Sequence, residues 1–280
     1  MKMLLVACST LFVSQVFAED WFVRPDIVTT AGDGHSWEGA LCVSDFQMLL
    51  ANELATSGDI FHLAGGSYIP NSNAENFRIT QGVKLIGGYA GNLKGTDTAL
   101  PVYPSATPTI FSGDRNNDGM PNAGDIQNLL VINSTDTVTV QGIEFRCAYY
   151  QGGDYGAGSV YTNLSNVVLK NCTFRDNTST FHGGAGFTTV GKAKSRGGAI
   201  LVDNASAENG GRKSLCVLER CQLTDNVLEY NSTDGKYGAA IQIRHGNMWI
   251  INSTIANNKA YCNGAGISVS DGDTVRIVSS

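Results

Sequence analysis

The sequence is short of several things that define common classes of protein. Proline is scarce, with 6 among 280 residues, while glycine is plentiful at 33. That pairing points to many tight turns rather than to long helices or a disordered chain. No Cys-x-x-Cys occurs, so neither a zinc site nor a thioredoxin-type redox motif is read here. There is no basic excess either. The net charge is -6, which argues against nucleic acid and anionic membranes as partners. Beyond the first residues no apolar run is long enough to span a membrane.

The opening "MKMLLVACSTLFVSQVFAED" carries one positive charge at Lys2, an apolar run from Leu4 to Val16, and small residues at Val16 and Ala18. This is the pattern of an export signal. Residues 1–18 are expected to leave, giving a mature chain from Glu19 to Ser280. It then holds six cysteines: Cys42, Cys147, Cys172, Cys216, Cys221 and Cys262. Export permits disulfides, but the spacings match no disulfide module.

One stretch has helical periodicity. In "SDFQMLLANELATSGD", Ser44 and Gln47 have capping-box spacing, Phe46, Leu49, Leu50 and Leu54 share a face, and Gly58 is the expected stop. Alternating strand patterns follow in "DIFHLAGGSYIP" and "FRITQGVKLIGGYAG". Pro101, Pro104 and Pro108 mark an irregular region. From about Asn128 the chain consists of short β runs separated by Gly, Asn and Asp.

Four segments in that part align without gaps: "VTVQGIEFRCA", "VVLKNCTFRDN", "CVLERCQLTDN" and "MWIINSTIANN". Equivalent positions are Val138, Val167, Cys216 and Met248; Val140, Leu169, Leu218 and Ile250; Ile143, Cys172, Cys221 and Ser253; and Phe145, Phe174, Leu223 and Ile255. Three copies end in Asn177, Asn226 and Asn258. A fifth begins at "VRIVSS". A second set, "GAGSVYT", "GGAILV", "GAAIQI" and "GAGISV", lies between them. The repeat spacings are 29, 49, 32 and 27 residues. Short strands at such a period predict a β-solenoid, in which equivalent residues stack as ladders along the axis. Asn at a turn is expected to stack its amide on the next Asn. The helix is expected to cap the N-terminal end and hide its open strand edges. The last coil runs out at Ser280, which predicts a further region downstream.

The pair of signatures "GGAI" at Gly197 and Phe-x-x-Asn at Phe174–Asn177 resembles the repeats of chlamydial polymorphic outer-membrane proteins. More broadly it resembles bacterial right-handed parallel β-helix proteins. The opening "WFVRPD...GDGHSWEGAL" looks like the N-terminal end of secreted pectin-lyase-like β-helices. The resemblance implies an all-β, right-handed parallel β-helix with an N-terminal capping helix. On that basis 1–18 is a signal peptide, 19–127 the cap and first irregular coils, and 128–280 the regular coils. Only one exact "GGAI" is present, Leu223 and Ile255 replace Phe, and no autotransporter barrel or sorting domain is visible.

Several residues with chemical potential fall on or beside these ladders. Cys172 shares its position with Ile143, Cys221 and Ser253, which reads as inward packing; a disulfide between Cys172 and Cys221 is left open. His182 falls in a turn. Asp176 and Asp225 occupy equivalent positions, with Asn257 next, so stacked carboxylates there are a candidate calcium site beside the reading as solvated turn acids. Arg175 is matched by Thr224 and Ala256, so no basic track forms. The aromatic loop "AYYQGGDYGAGSVY" and an outward Trp249 are candidates for stacking on sugars. The sharpest motif is "DRNNDGMPNAGD", with EF-hand-type spacing. Its calcium ligands would be Asp114, Asn116, Asp118, the Met120 carbonyl, Asn122 and Asp125. Against it stand Pro121, the short Asp125 in place of Glu, the lack of flanking helices, and the alternative of an Asx-rich turn.

The expected function is that of a protein secreted or held at the cell surface or outer membrane of a bacterium. It would be adhesin-like, displaying loops such as 183–196 and 203–214 to a polysaccharide or host-surface partner. The alternative is a polysaccharide lyase or glycoside hydrolase on the same fold, although the motifs of pectate lyases and polygalacturonases are not in this sequence.

Overall fold

The computed structural model describes residues 17–71, 76–150, 159–163, 165–180, 200–203, 214–229, 239–244, 246–261, 264–270 and 274–279. They form an all-β structure of long parallel sheets with one helix among the described residues. The arrangement is compatible with a parallel β-solenoid. No helix among the described residues is long and apolar enough to cross a membrane.

The chain visits the sheets in a fixed order. Val138–Gln141 lies in sheet 1, Ile143–Arg146 in sheet 2, Tyr149–Tyr150 in sheet 4 and Val160–Asn163 in sheet 3; Val167–Lys170 then returns to sheet 1. Sheet 1 has eight strands, sheets 2 and 3 have six each, and sheet 4 has four. Each strand pairs in parallel with its counterpart one coil away. The repeats of the sequence are therefore the register itself. Val167 pairs with Val138 and Cys216, Cys216 with Met248, and Phe174 with Phe145 and Leu223. The second set forms sheet 3, where Val160, Ile200, Ile241 and Ile267 are in line. Met248 pairs with Val275 of the fifth copy.

The sheets also run back across position 127 without a break. Lys84–Tyr89 pairs with Val138–Gln141, and Thr109–Ser112 pairs with Ile143–Arg146. The Phe145 and Phe174 ladder thus begins earlier, at Tyr68 and Phe111. Successive rings lie 5.6, 5.5 and 5.0 Å apart, and all four are fully buried. Burying each such ring contributes about 1.5–3 kcal/mol.

Two bends recur in every regular coil, and both use left-handed backbone. Gly142, Asn171, Arg220 and Asn252 form one series, with φ of 47 to 67°. Cys147, Asp176, Asp225 and Asn257 form the other, with φ of 54 to 58°. A single residue in this conformation turns a strand sharply, and Gly, Asn and Asp tolerate it best. Asp176 and Asp225 hold their shared position for this reason.

The asparagine ladder forms beside the second bend. The Asn177 amide donates to Asn226 Oδ1 at 2.9 Å, and Asn226 donates to Asn258 Oδ1 at 2.9 Å. Each also donates to a carbonyl of the coil before it: Phe145, Phe174 and Leu223 in turn. Asn177 and Asn226 are fully buried, so these bonds satisfy groups that water does not reach.

The helix spans Val43–Ala51 and differs from expectation in three ways. Its N-cap is Cys42, without a side-chain cap, so the Ser44/Gln47 capping box does not form. Gln47 is instead buried, donating to the Asn76 carbonyl and accepting from the Asn71 amide. The helix ends at Asn52, and Glu53 takes the left-handed turn at φ 57° well before Gly58. Leu54 therefore leaves the helical face and is 65 % exposed, while Ala55 is buried. The packing of the helix joins three sheets. Phe46 lies 5.3 Å from Phe61, 6.4 Å from Tyr68 and 5.4 Å from Phe77, which belong to sheets 1, 2 and 3. One side chain thus closes the core from all three walls.

Candidate functional site

The 114–125 loop grows out of a bend. Gly113 occupies the place of Cys147 one coil earlier, and its amide donates to the Arg146 carbonyl at 2.9 Å. A Cβ there would meet the Cys147 carbonyl at 2.2 Å, so only glycine fits. The chain leaves at Gly113 and returns at Ile126, whose amide donates to the Gly113 carbonyl. Between these the loop is closed by its own acids. Asp114 accepts from the amides of Asp118 and Gly119 at 3.1 and 2.9 Å. Asp125 accepts from Arg115 and Asn122 at 3.1 and 2.8 Å. Both carboxylates are buried. Asp118 is exposed and accepts from the Met120 amide and from the side-chain amides of Asn116 and Asn122. The Asn122 side chain also donates to the Met120 carbonyl at 3.1 Å.

All six expected ligands are thus within one small loop. Their side chains bond within the loop, as Asx turns do. Among the described residues no group of three or more His, Cys, Asp or Glu side chains is placed to hold a metal ion. At the second expected cation position, Asp225 holds the same bend as Asp176. Asp176 takes the Arg175 guanidinium at 2.6 Å and stands at the left-handed bend.

The structure adds neighbours to this loop that spacing alone did not reveal. The Cys147 thiol donates to the Gly119 carbonyl at 3.7 Å, placing the loop over the bend. Arg146 pairs in register with Arg175, so Arg175 does have a partner of like charge, on the side opposite Thr224. The aligned "FRCA" and "FRDN" carried that signal. The two arginines share Glu144, at 3.7 and 2.6 Å. The corner is therefore a compensated ion cluster rather than a basic track, and at half-exposed positions such pairs contribute little stability.

Burial pushes Cys147 up to about 11 and Cys172 and Cys216 well above the ordinary thiol range. Cys221 is held lower by a hydrogen bond from Cys172. Cys172 and Cys221 are each 1 % exposed, as expected for an inward ladder.

The outer face of sheet 1 has a different character. Val168, Val217 and Trp249 are in register along it, followed by Arg276. Trp249 is 41 % exposed, with the Arg276 guanidinium 5.8 Å from its ring. Beside this stripe Lys170 pairs with Glu219 at 3.2 Å. The aromatic loop is less open than expected where it is described, for Tyr150 is 2 % exposed. His182, Cys262, residues 151–158 and nearly all of both display loops lie outside the described residues, as do residues 1–16 of the export signal.

Comparison with protein-family models, with curated proteins and with solved structures found no match.

Proposed function

We propose that the chain is a right-handed parallel β-helix of the pectin-lyase-like kind, exported and displayed as an adhesin-like binding protein. Its repeats would make it a relative of the chlamydial polymorphic outer-membrane proteins. The observation that supports this reading is the outer face of sheet 1. There Val168, Val217 and Trp249 form a stripe on a stacked parallel sheet, the valines half-buried and the tryptophan exposed, flanked by Lys170, Glu219 and Arg276. A flat apolar strip with one aromatic ring and polar edges matches the face and the hydroxyl rim of a sugar ring, and polysaccharide is the partner we assign to it. Aromatic anchors of this kind carry much of the affinity where they occur at interfaces.

The test is a glycan array probed with the purified chain and with Trp249→Ala. Alongside it runs an assay for new reducing ends or unsaturated uronate on acidic and neutral polysaccharides. Binding that falls at least about tenfold in the variant, at unchanged Tm, supports the proposal. Turnover of a polysaccharide replaces it with the lyase or hydrolase reading.

The 114–125 loop is proposed as a calcium site. The supporting observation is that Asn116 and Asn122 both aim their amide groups at Asp118, so a flip of each would bring oxygens to the same place. A Tm that rises with calcium and falls with chelator supports this, and an identical Tm in both rejects it.

A further inference from the structure

Among the described cysteines, Cys172 and Cys221 alone face each other across coils. Thr173 pairs with Gln222, and the Gln222 amide donates to the Cys172 carbonyl at 2.9 Å. The two cysteines therefore hold the same position in neighbouring coils. Both thiols are buried and free, and each donates to a carbonyl of the coil before it, Cys172 to Val140 at 3.5 Å and Cys221 to Leu169 at 3.3 Å. Paired strands lie about 4.8 Å apart, within the Cα separations of roughly 4.4–6.8 Å that a disulfide spans. The other thiols are placed differently. Cys216 lies between Val167 and Met248 in its ladder, Cys147 contacts the Gly119 carbonyl, and Cys42 contacts Thr30 and Ser44.

Their place along the chain is informative. Coil spacings are 29, 49, 32 and 27 residues, and Cys172 and Cys221 bracket the coil of 49. Closing the longest coil costs the most chain entropy, and a cross-link there removes the most from the unfolded chain.

We propose that Cys172 and Cys221 form a disulfide that ties together the coils on either side of the longest insertion. The oxidant is a small-molecule or protein disulfide. One cysteine, as thiolate, attacks it, forming a mixed disulfide and releasing one thiol of the oxidant. The second cysteine thiolate then attacks the mixed disulfide, forming the Cys172–Cys221 bond and releasing the second thiol. Two electrons pass to the oxidant, whose two sulfurs take up the two protons the cysteines lose. Since both sulfurs are buried in the finished fold, the exchange takes place while the coil is closing.

The test does not depend on export. The full chain is refolded with reduced and oxidised glutathione, alkylated without reduction and digested with trypsin. Cleavage after Lys170, Arg175, Arg220 and Lys236 isolates Asn171–Arg175 and Cys221–Lys236. The expected result is a linked pair of these peptides that dithiothreitol separates. Protein refolded in dithiothreitol is expected to melt roughly 10 °C lower, a difference that disappears in Cys172→Ala/Cys221→Ala. Folded wild-type protein in which both peptides are alkylated before reduction overturns the proposal, as does Cys172 linked to any other cysteine. The wild-type peptide map decides the matter even where the variant fails to fold.

Discussion

At the N-terminal end of the core, Phe46 is fully buried against rings from three sheets. At the far end Ile255 and Ile267 are only half buried, and Ile277 is 57 % exposed. Those isoleucines, with Ile250, line an open cavity of about 490 Å³. Between the two ends the same ladder position passes from Tyr68, Phe111, Phe145 and Phe174 to Leu223 and Ile255. The register survives this change of filling. From the Phe145 coil onward the two left-handed bends stay constant, and from Asn177 onward so does the asparagine ladder. Apolar burial supplies the bulk of the stabilisation, while the bends and amides set the shape of each coil.

Four tests would break or sharpen that contrast. The largest effect is expected from Phe46→Ala, which opens a cavity at the meeting point of three sheets and should lose about 4 kcal/mol in urea unfolding. Ile255→Ala, at the half-buried end of the ladder, is expected to lose clearly less. Next comes Asn226→Leu. It leaves the Asn177 donor and the Asn258 acceptor without their partner in the ladder, and should cost about 3 kcal/mol by the same measurement. An equal Tm for this variant and the wild type would show that the ladder is dispensable.

Third is Gly142→Asn. Asn171 and Asn252 occupy the same bend at similar φ, so the backbone accepts the change. However, a Cβ at 142 would meet the Tyr103 ring at 1.9 Å. The expected loss is about 2 kcal/mol, and Tyr103→Ala should recover part of it in a double-mutant cycle. The smallest effect has the opposite sign. Arg220 is an exposed, non-glycine residue at φ 55°, and Arg220→Gly should raise stability by about 0.5–1 kcal/mol, read as a higher Tm.

The regular coils were legible because stacking turns sequence period into spatial register. Val138, Val167, Cys216 and Met248 align on paper for the same reason that their strands pair. The Phe-x-x-Asn corner was legible because its asparagines recur at one position. Tyr68 and Phe111 were missed, since the long chain between Tyr89 and Thr109 and the 114–125 insertion hide the period there. The helix was found, but its ends were not. Capping spacing at Ser44 and Gln47 promised a local bond, whereas burial of Gln47 against 71 and 76 offered it two backbone partners. The candidate loop was legible as a motif. Its setting over Cys147, beside the Arg146–Glu144–Arg175 cluster, was not.

By itself the sequence determined the class of architecture, the inward ladders and the asparagine corner. Each of these depends on a residue type recurring at a fixed place in a repeat. Only the tertiary structure decided that Phe46 packs against three sheets, that Tyr103 covers Gly142, and that Arg146 and Arg175 share one glutamate. Those contacts join side chains from different coils or from irregular chain. Their geometry is fixed by how coils of unequal length stack, which no local period encodes.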